Sequence, residues 1–380
     1  MPTTIHAALT RTVRTHDIAA LGARYAAESE QARTLHPAVA DAVVRAGFAR
    51  HFVPAEFGGA TGTFAELLDA VAVVGEGCTS AAWCAALQAA HGRLAAHLPR
   101  QGRADLWESG PDTPIAAAVV PPAGELTATP GGYLLTGRWD FASGVDHARW
   151  ILLAAPEPAD GGHRQRILAV PRADFSIHDT WRNSGLRGTG SHSVTVDATF
   201  VPEHRTVTRE ALAAGREEKD AARCHRIPYT LVASLIFAAP ALGAARGALR
   251  AWTALAAGRT TAGGGRFFDD AVAQQTLALS SAEVDAAYLL LRRAAERADQ
   301  APLDDLPVAL NMRDAVVAVE MLVGAVERLI RSGGARAQVD GEPLQRFWRD
   351  VHALAGHGAL RLQPAAAAYG RWAAAEAGVR

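Results

Sequence analysis

The sequence has little cysteine and no excess of charge of either sign. Three cysteines occur in 380 residues, and Cys78 and Cys84, if they share one helix, lie about 9 Å apart along its axis, too far for a disulfide. No cysteine cluster has the spacing of a metal site. The 38 basic and 39 acidic residues form no run of like charge, which argues against nucleic-acid or membrane-surface partners and favours a small molecule.

The chain also lacks the features of secretion and of membrane insertion. Its first residues, Met1 to His6, do not combine a basic start with an apolar segment, which is the pattern of a signal peptide. We expect no later segment to span a bilayer, because charged and polar residues interrupt the apolar runs. With 49% hydrophobic residues, the sequence predicts a globular protein with a large core, and we expect a cytoplasmic location.

The periodicity of the apolar residues changes twice along the chain. Helical spacing before Gly110 gives way to short β-type runs and then returns near Arg216. The predicted strands are Tyr133–Thr136, Trp150–Leu153, Ile167–Val170 and Val194–Phe200, with a hairpin turn at Thr129–Gly132. The predicted bundle helices are 229–257, 271–299, a stripe from Val316 to Ile330, and 344–378. We therefore predict an N-terminal helical domain (1–110), a middle β domain (111–208) and a C-terminal four-helix bundle (209–380).

The most informative stretch runs from Thr136 to His147. It carries an indole (Trp139), a phenyl ring (Phe141) and a hydroxyl (Ser143) at a predicted junction between a strand and a loop. Aromatic rings offer a dry surface to a flat heteroaromatic ligand, and a small hydroxyl can form a hydrogen bond with a ring nitrogen. Two core aromatics followed by a turn serine would give the same pattern, and this segment alone leaves both interpretations open.

Several motifs in this order resemble those of a known superfamily. They are Pro54-Ala-Glu-Phe-Gly-Gly59, Gly137-Arg-Trp139, Gly185-Leu-Arg-Gly-Thr-Gly-Ser191 and Val201-Pro-Glu-His204. Together they resemble the acyl-CoA dehydrogenase superfamily over nearly the whole chain. Trp139–Gly144, and Arg349-Asp350 followed by His357, are more similar to the group D flavin-dependent monooxygenases of two-component systems. The resemblance implies a mainly α fold with a small β domain (α+β), in which the middle domain is barrel-like.

The distribution of carboxylates separates the two branches of that superfamily. Its dehydrogenases remove a proton next to a carbonyl group with a glutamate in one of two places. No Asp or Glu lies between Asp350 and Glu376, or between Asp220 and Asp269, which cover both places. His357 stands near the later one. The residues therefore favour a monooxygenase over its alternatives, a dehydrogenase-like oxidoreductase with a displaced base and a redox-inactive ligand-binding member.

A monooxygenase of this group is an oxygenase component. The resemblance implies that it takes reduced FMN or FAD from a separate reductase and reacts it with O2. The resulting flavin hydroperoxide hydroxylates or N-oxygenates a small substrate, with an aromatic, phenolic or polycyclic compound as the leading expectation. Such a site must exclude water. The resemblance also implies a homotetramer or homodimer, because an arginine after Gly263–Gly265 would reach the flavin phosphate of a neighbouring subunit.

The resemblance assigns roles to particular residues. Ser143 would donate a hydrogen bond near flavin N5, and His91 and His357 would deprotonate the substrate or manage protons. The implied cofactor contacts are Trp139, Phe141, Ser143, Trp181, Thr189, Ser191, Arg266 and Gln275, and the implied substrate contacts are Trp83, Tyr229 and His352. Each has a simpler alternative, such as a core histidine, a glycine-rich connection or a surface arginine.

Two other kinds of site are not expected. His352 and His357 are five residues apart, which places them about 140° apart on a helix, so they cannot share a metal. His91 and His97 fail the same test, and the chain has no His-Glu-x-x-His motif. In Gly185–Gly190 the glycine spacing is wrong for a dinucleotide fingerprint, and a predicted strand follows where a helix is required.

Replacing Ser143 by alanine tests the predicted role of its hydroxyl. If Ser143 contacts flavin N5, we expect Ser143→Ala to shorten the lifetime of the flavin hydroperoxide and to raise the release of hydrogen peroxide. Stopped-flow absorbance and a peroxide assay measure the two effects. Unchanged coupling of oxygen consumption to product would identify Ser143 as a turn residue only.

Overall fold

The computed structural model describes residues 14–159, 162–216, 218, 220–304 and 306–378; the start of the chain, Met1 to His6, lies outside these. The N-terminal part is helical. Its helices are α1 (14–24), α2 (Ala26–Ala32), α3 (Pro37–Arg45), α4 (Phe64–Gly75), α5 (Thr79–Ala95) and α6 (Arg100–Leu106). A capping box between Thr63 and Glu66 begins α4. Helix α5 is buried along nearly its whole length.

Eight strands follow, and they form two four-stranded sheets. The strands are β1 (Ile115–Ala118), β2 (Glu125–Thr129), β3 (Gly132–Ala142), β4 (Trp150–Ala159), β5 (Gly162–Pro171), β6 (Ser176–His178), β7 (His192–Pro202) and β8 (Thr206–Thr208). One sheet has the order β1-β4-β5-β8 and the other the order β2-β3-β7-β6. The four predicted strands are confirmed, and so is the hairpin turn between β2 and β3.

The antiparallel pairing of β3 with β7 positions the candidate site. Ala142, the last residue of β3, pairs with His192, the first residue of β7, so Ser143 and Ser191 leave the sheet side by side. The register shifts between Trp139 and Ala142, which marks an irregularity of the β-bulge type. The end of the sheet therefore carries Ser143 at its edge and turns Phe141 outward.

The C-terminal part is helical again. Its helices are α7 (Arg209–Ala214), α8 (Arg223–Arg226), α9 (Tyr229–Ala257), α10 (Ala271–Gln300), α11 (Val308–Gly333), α12 (Pro343–Ala355) and α13 (Leu362–Glu376). The predictions of 229–257, 271–299 and the stripe on α11 are confirmed. The prediction of one helix over 344–378 is wrong: α12 ends at Ala355, and the His357 side chain then caps a short 3₁₀ turn, Gly358–Leu360.

The expectation that no segment is long and apolar enough to span a bilayer is wrong for helix α9. By length and composition alone it could cross a bilayer, but 83% of its most apolar window is buried inside the protein. It packs against α4, α5, α10, α11 and α12. The N-terminal helices and the C-terminal bundle share one hydrophobic core, whereas the strands enclose a second core around Trp139 and Leu135. The division into three domains at the predicted limits stays a prediction.

Candidate active site

A chain of hydrogen bonds crosses the edge of the sheet at Ser143. The Ser143 Oγ lies 2.7 Å from Ser191 Oγ, which lies 2.6 Å from Thr189 Oγ1. Thr189 Oγ1 donates to the carbonyl oxygen of Leu186 at 2.9 Å. At the other end, Trp83 Nε1 donates to Ser143 Oγ at 3.0 Å. The structure thus brings Trp83, Ser143, Thr189 and Ser191, which the sequence assigned to one site, into direct contact.

Phe141 presents an uncovered aromatic ring beside this chain. Its side chain is 69% exposed, and its φ of 65° lies in the left-handed region, which a bulky residue seldom adopts. Trp181 meets the ring edge-to-face at 6.3 Å and donates from Nε1 to Leu186 O at 2.9 Å. A strained backbone that exposes an aromatic ring beside a polar chain fits a site for a flat heteroaromatic ligand such as a flavin.

An aromatic cluster faces Ser143 from the helices. His357 stacks on Phe237 of α9, with ring centroids 3.9 Å apart. Trp83 of α5 meets both rings, at 5.6 Å from His357 and 5.4 Å from Phe237. We call the region around Trp83, Ser143, Phe237 and His357, together with His91 eight residues further along α5, the α5–α9 cleft.

His357 is a neutral hydrogen-bond donor in this arrangement. Burial lowers its pKa to about 4. Its Nδ1 accepts a hydrogen bond from the backbone N–H of Ala359 at 3.2 Å, so the hydrogen of the neutral ring lies on Nε2. The Nε2–H group can donate to an oxygen of a ligand, whereas the low pKa makes His357 a weak base.

His91 has the opposite tautomer. Its Nδ1 lies 2.8 Å from the carbonyl oxygen of Ile115, which can only accept, so Nδ1 carries the hydrogen. Burial lowers its pKa to about 4, and the neutral ring keeps a lone pair on Nε2. His91 can therefore accept a hydrogen bond from a ligand hydroxyl, and the two histidines offer complementary groups.

One face of α5 carries a row of slightly exposed side chains that extends from the aromatic cluster to a separate pocket near Tyr229. Trp83, Leu87, His91 and Leu94 follow one another on that face, and each keeps 6 to 8% of its surface exposed, whereas the opposite face is fully buried. Leu94 and Tyr229 line a mainly apolar, partly open pocket. Its remaining lining residues are Val119, Val120, Ala154, Gln165, Ile167, Arg209, Leu212, Ala213 and Thr230. Tyr229 thus lines this pocket beside Leu94 of α5.

Two predicted site residues lie elsewhere. Trp139 is only 2% exposed, belongs to the core of the β domain and donates from Nε1 to Ala154 O at 2.8 Å; it supports the sheet and does not face the cleft. His352 is exposed on α12, where its Nδ1 bonds with Trp348 O and its Nε2 lies 3.5 Å from a carboxylate oxygen of Glu327. Its neighbours Trp348 and Glu327 differ from those of His357, which lies beyond the end of α12 and packs on Phe237 and Trp83.

The structure does not join Arg266 or Gln275 to the rest of the site within one chain. Both side chains are exposed, on the loop between α9 and α10 and on the first turns of α10. The neighbouring Gln274 donates to Phe268 O at 3.1 Å. A role for either residue in cofactor binding stays a prediction.

The sequence analysis assigned no role to two residues that shape the cleft, Phe237 and the motif residue Asp350. Phe237 is one apolar residue in a long apolar helix, and only the fold reveals its stacking on His357. Asp350 is fully buried, and its Oδ1 accepts from the backbone N–H of Leu186 at 2.6 Å, which fixes the Gly185–Ser191 loop to α12. Burial raises the pKa of Asp350 to about 6. Among the described residues no group of three His, Cys, Asp or Glu side chains could hold a metal ion.

Comparisons with known proteins identify a matching family model, related sequences and a similar solved structure. A family model described as "Acyl-CoA dehydrogenase, C-terminal domain" matches residues 235–362. The oxygenase subunit HsaA of a flavin-dependent monooxygenase from Rhodococcus jostii (strain RHA1) is 32% identical over 91% of this chain and 93% of its own length. The oxygenase component of an FADH(2)-dependent resorcinol hydroxylase from Rhizobium sp. (strain MTP-10005) is 34% identical over 87% and 86%. The crystal structure of XiaF from Streptomyces sp. with FADH2 and glycerol superposes with a TM-score of 0.90 at 28% identity, over 100% of this chain and 98% of that one.

The buried histidines predict acid lability. The pKa values of His91, His225 and His357 are each lowered to about 4 by burial, whereas an unfolded histidine titrates near pH 6.5. Between these values the unfolded chain binds more protons, so stability is complete above about pH 6.5 and falls as the pH drops toward 4. We expect His91→Gln to reduce that loss by up to about 3 kcal/mol, measured by urea unfolding at several pH values.

The matched control is Leu87→Met on the same helix, which changes no titratable group and should leave the pH dependence of unfolding as it is. If His91→Gln lost as much stability as the unaltered protein between pH 6.5 and 4, the buried ring would not be held neutral.

Proposed function

The chain belongs to the oxygenase components of flavin-dependent monooxygenases, and on that basis we propose that its α5–α9 cleft hydroxylates a small phenolic compound. The reaction uses reduced flavin and O2: one oxygen atom enters the substrate and the other leaves as water, with both electrons supplied by the flavin. The relatives named for HsaA and for resorcinol hydroxylase support an aromatic substrate.

The opposite tautomers of His91 and His357 are the observation that carries the proposal. Along α5, Trp83 and His91 lie eight residues apart, or about 12 Å, and His357 packs beside Trp83. A substrate between them would meet a lone pair at His91 Nε2 and an N–H at His357 Nε2. We propose that His91 accepts a hydrogen bond from a substrate hydroxyl and that His357 donates to a substrate oxygen.

The rest of the cleft positions the rings and excludes water. Phe237 and Trp83 give a flat substrate apolar faces, and Phe141 with Trp181 offers the edge of the sheet to the flavin. A dry site strengthens the hydrogen bonds of both histidines and protects the reacting oxygen from wasteful protonation. When bound, the flavin supplies the activated oxygen.

The proposed flavin is reduced FAD delivered by a separate reductase. The Rhizobium relative is named for FADH(2), and the XiaF structure contains FADH2. FAD has a pyrophosphate that needs cationic donors, and Arg266 is an exposed guanidinium on the loop between α9 and α10. We propose that Arg266 and Gln275 serve the flavin of a neighbouring subunit in a homotetramer or homodimer, within the cytoplasm.

An exposed apolar face on α10 supports that assembly. Val272 and Leu279 lie two turns apart on one face of the helix, at 64% and 55% exposure, and Gln275 lies between them. Covering this face with a second copy would bring Gln275 into the interface. Helix α10 thus links the proposed oligomer to the proposed cofactor contact.

The function is tested with reduced FAD, O2 and resorcinol or a 4-substituted phenol as the probe. We expect hydroxylated product and, in stopped flow, a near-ultraviolet transient before oxidised flavin appears. His357→Ala removes a hydrogen bond to a charged or developing oxygen and should lower product formation roughly tenfold to hundredfold with little change in flavin binding. His352→Ala on the surface is the control.

Two results would contradict this function. Equal loss of flavin binding and of product in His357→Ala would mean that His357 is structural. Bleaching of oxidised flavin by an acyl-CoA, without the transient, would support a dehydrogenase with a displaced base.

The assembly is tested by Leu279→Glu, which places a charge on the exposed apolar face of α10. We expect a lower mass in light scattering and weaker FAD binding, because Arg266 and Gln275 of the neighbour would be lost together. Leu134→Glu, an exposed leucine of β3, should change neither. Weakened assembly with unchanged FAD binding would show that the flavin site lies within one chain.

A further inference from the structure

The pocket that Leu94 and Tyr229 line has apolar walls, and we call it the Tyr229 pocket. Four buried side chains from α5, β4, β5 and α7 form part of its wall: Leu94, Ala154, Ile167 and Leu212. All four belong to one apolar cluster, against which Val119 and Tyr229 also pack. A surface of this kind binds an apolar part of a ligand, because binding removes that part from water.

A positive charge stands at the Tyr229 pocket. Arg209, the first residue of α7, is exposed and lines the pocket. Its Nη1 donates to the side-chain oxygen of Gln165 on β5 at 2.5 Å. Among the described residues this neutral amide is the one hydrogen-bond partner of Arg209, so the guanidinium keeps its charge and further donors for a ligand.

Tyr229 adds a hydroxyl to the same pocket. Burial raises its pKa, against the opposing effect of the positive charges of Arg93 and Arg209, so the O–H group is intact at neutral pH and can donate. In the described part of the chain no hydrogen bond occupies this hydroxyl. The electrostatic effect of Arg209 on Tyr229 also shows that the two side chains are neighbours. A cation beside a free O–H donor fits a carboxylate, which accepts from both.

The Tyr229 pocket is within reach of a histidine of the cleft. Leu94 follows His91 by three residues on the same face of α5, about 4.5 Å along the helix axis. On the other side, His91 Nδ1 is bonded to the carbonyl oxygen of Ile115 on β1. Val119, which lines the pocket, lies four residues after Ile115, at most about 14 Å along the chain. One ligand of moderate length is therefore long enough to contact His91 and the Tyr229 pocket together.

We propose that the Tyr229 pocket binds an arm of the substrate, an apolar chain attached to the phenol ring and ending in a carboxylate that Arg209 and Tyr229 hold. The proposal rests on the hydroxylation of a phenol in the α5–α9 cleft proposed above, and it narrows the substrate class to phenols that carry such an arm. The ring lies beside His91, and the apolar walls contact the chain. Because the arm does not react, its binding serves to position the ring.

The apolar walls and the cation should have separate effects on affinity. Burial of each methylene group of the arm strengthens binding about fourfold. The contact between a carboxylate and the exposed Arg209 should strengthen it roughly fivefold, a value between those of a surface ion pair and of a buried hydrogen bond to a charged group. The dissociation constant should therefore fall as the arm lengthens, and an acid should bind more tightly than its methyl ester.

The test is calorimetric titration of the full chain under anaerobic conditions with reduced FAD present, repeated without flavin. The probes are 4-hydroxyphenylacetic acid, 6-(4-hydroxyphenyl)hexanoic acid and the methyl ester of the hexanoic acid, which share one phenol ring. We expect the hexanoic acid to bind at least tenfold more tightly than the acetic acid. We also expect it to bind roughly fivefold more tightly than its own ester. Hydroxylation of the same probes and of resorcinol is then measured with O2.

Arg209→Gln tests the cation. This change removes the charge, so the preference for the hexanoic acid over its ester should disappear. The matched control is Arg164→Gln, which removes the same charge one position before Gln165. Neighbouring residues of a strand point to opposite faces, so Arg164 faces away from the pocket and the preference should stay.

Ala213→Phe tests the apolar walls. Ala213 lines the pocket from the exposed side of α7, and a phenyl ring there should narrow the space for a long arm. The advantage of the hexanoic acid over the acetic acid should fall at least fivefold. The matched control is Ala214→Phe at the next exposed position of α7, which does not line the pocket. Because both positions are exposed, neither change disturbs the core.

The outcomes are distinct. Equal affinity for the two acids, or a preference for acid over ester that survives Arg209→Gln, would overturn the inference, while hydroxylation of resorcinol would leave the proposed function standing. Tight binding of the hexanoic acid without its hydroxylation, when resorcinol is hydroxylated, would also overturn the inference, because the ring would then lie outside the cleft. Absence of hydroxylated product from every phenol would overturn the proposed function and the inference together.

Discussion

The burial of helix α5 is the constraint on which the site depends. Sixteen of its seventeen residues are buried, because alanine, serine, glycine and cysteine along Thr79–Ala95 allow β1, α4 and α9 to approach it from different sides. Trp83 and His91 are the large polar-tipped exceptions on one face. A helix enclosed in this way cannot rotate, so their ring nitrogens keep fixed directions toward Ser143 and Ile115. The geometry of the cleft is thereby set by packing that lies mostly outside it.

Because α5 is enclosed in this way, the helices and the strands contribute different kinds of group to the cleft. The strand ends contribute the hydroxyls of Ser143 and Ser191 and the exposed ring of Phe141. They do so because the irregular pairing after Trp139 turns the edge of β3 toward the cleft. The helices contribute rings that are desolvated and neutral, and burial lowers the pKa of His357 and His91 to about 4. A neutral histidine has one donor and one acceptor, so the backbone partner of Nδ1 decides which of them the cleft receives. The backbone groups of Ile115 and Ala359 therefore determine whether each histidine donates or accepts a hydrogen bond in the cleft, although these backbone groups take no part in the reaction.

The sequence predicted much of the fold because its signals are local. Apolar periodicity identified the long helices, and the motif order indicated the superfamily. The prediction for Trp139 failed for a physical reason. In a regular strand, residues two apart share a face, so regular pairing would have placed Trp139 and Phe141 on one surface. The register shift between them sends Trp139 into the core and exposes Phe141. A bulge leaves no mark in residue types that one sequence could reveal.

The site residues that the sequence missed share a second property, which is that their role depends on contacts between distant segments. Phe237 and His357 are 120 positions apart, and Asp350 meets Leu186 across 164. By composition Phe237 is an ordinary core residue, and Asp350 entered only as part of the Arg349-Asp350 motif. Asp350 holds the loop in the position that brings the hydroxyls of Thr189 and Ser191 next to Ser143. The arrangement of the hydroxyls at the edge of the sheet thus depends on a buried carboxylate on another helix.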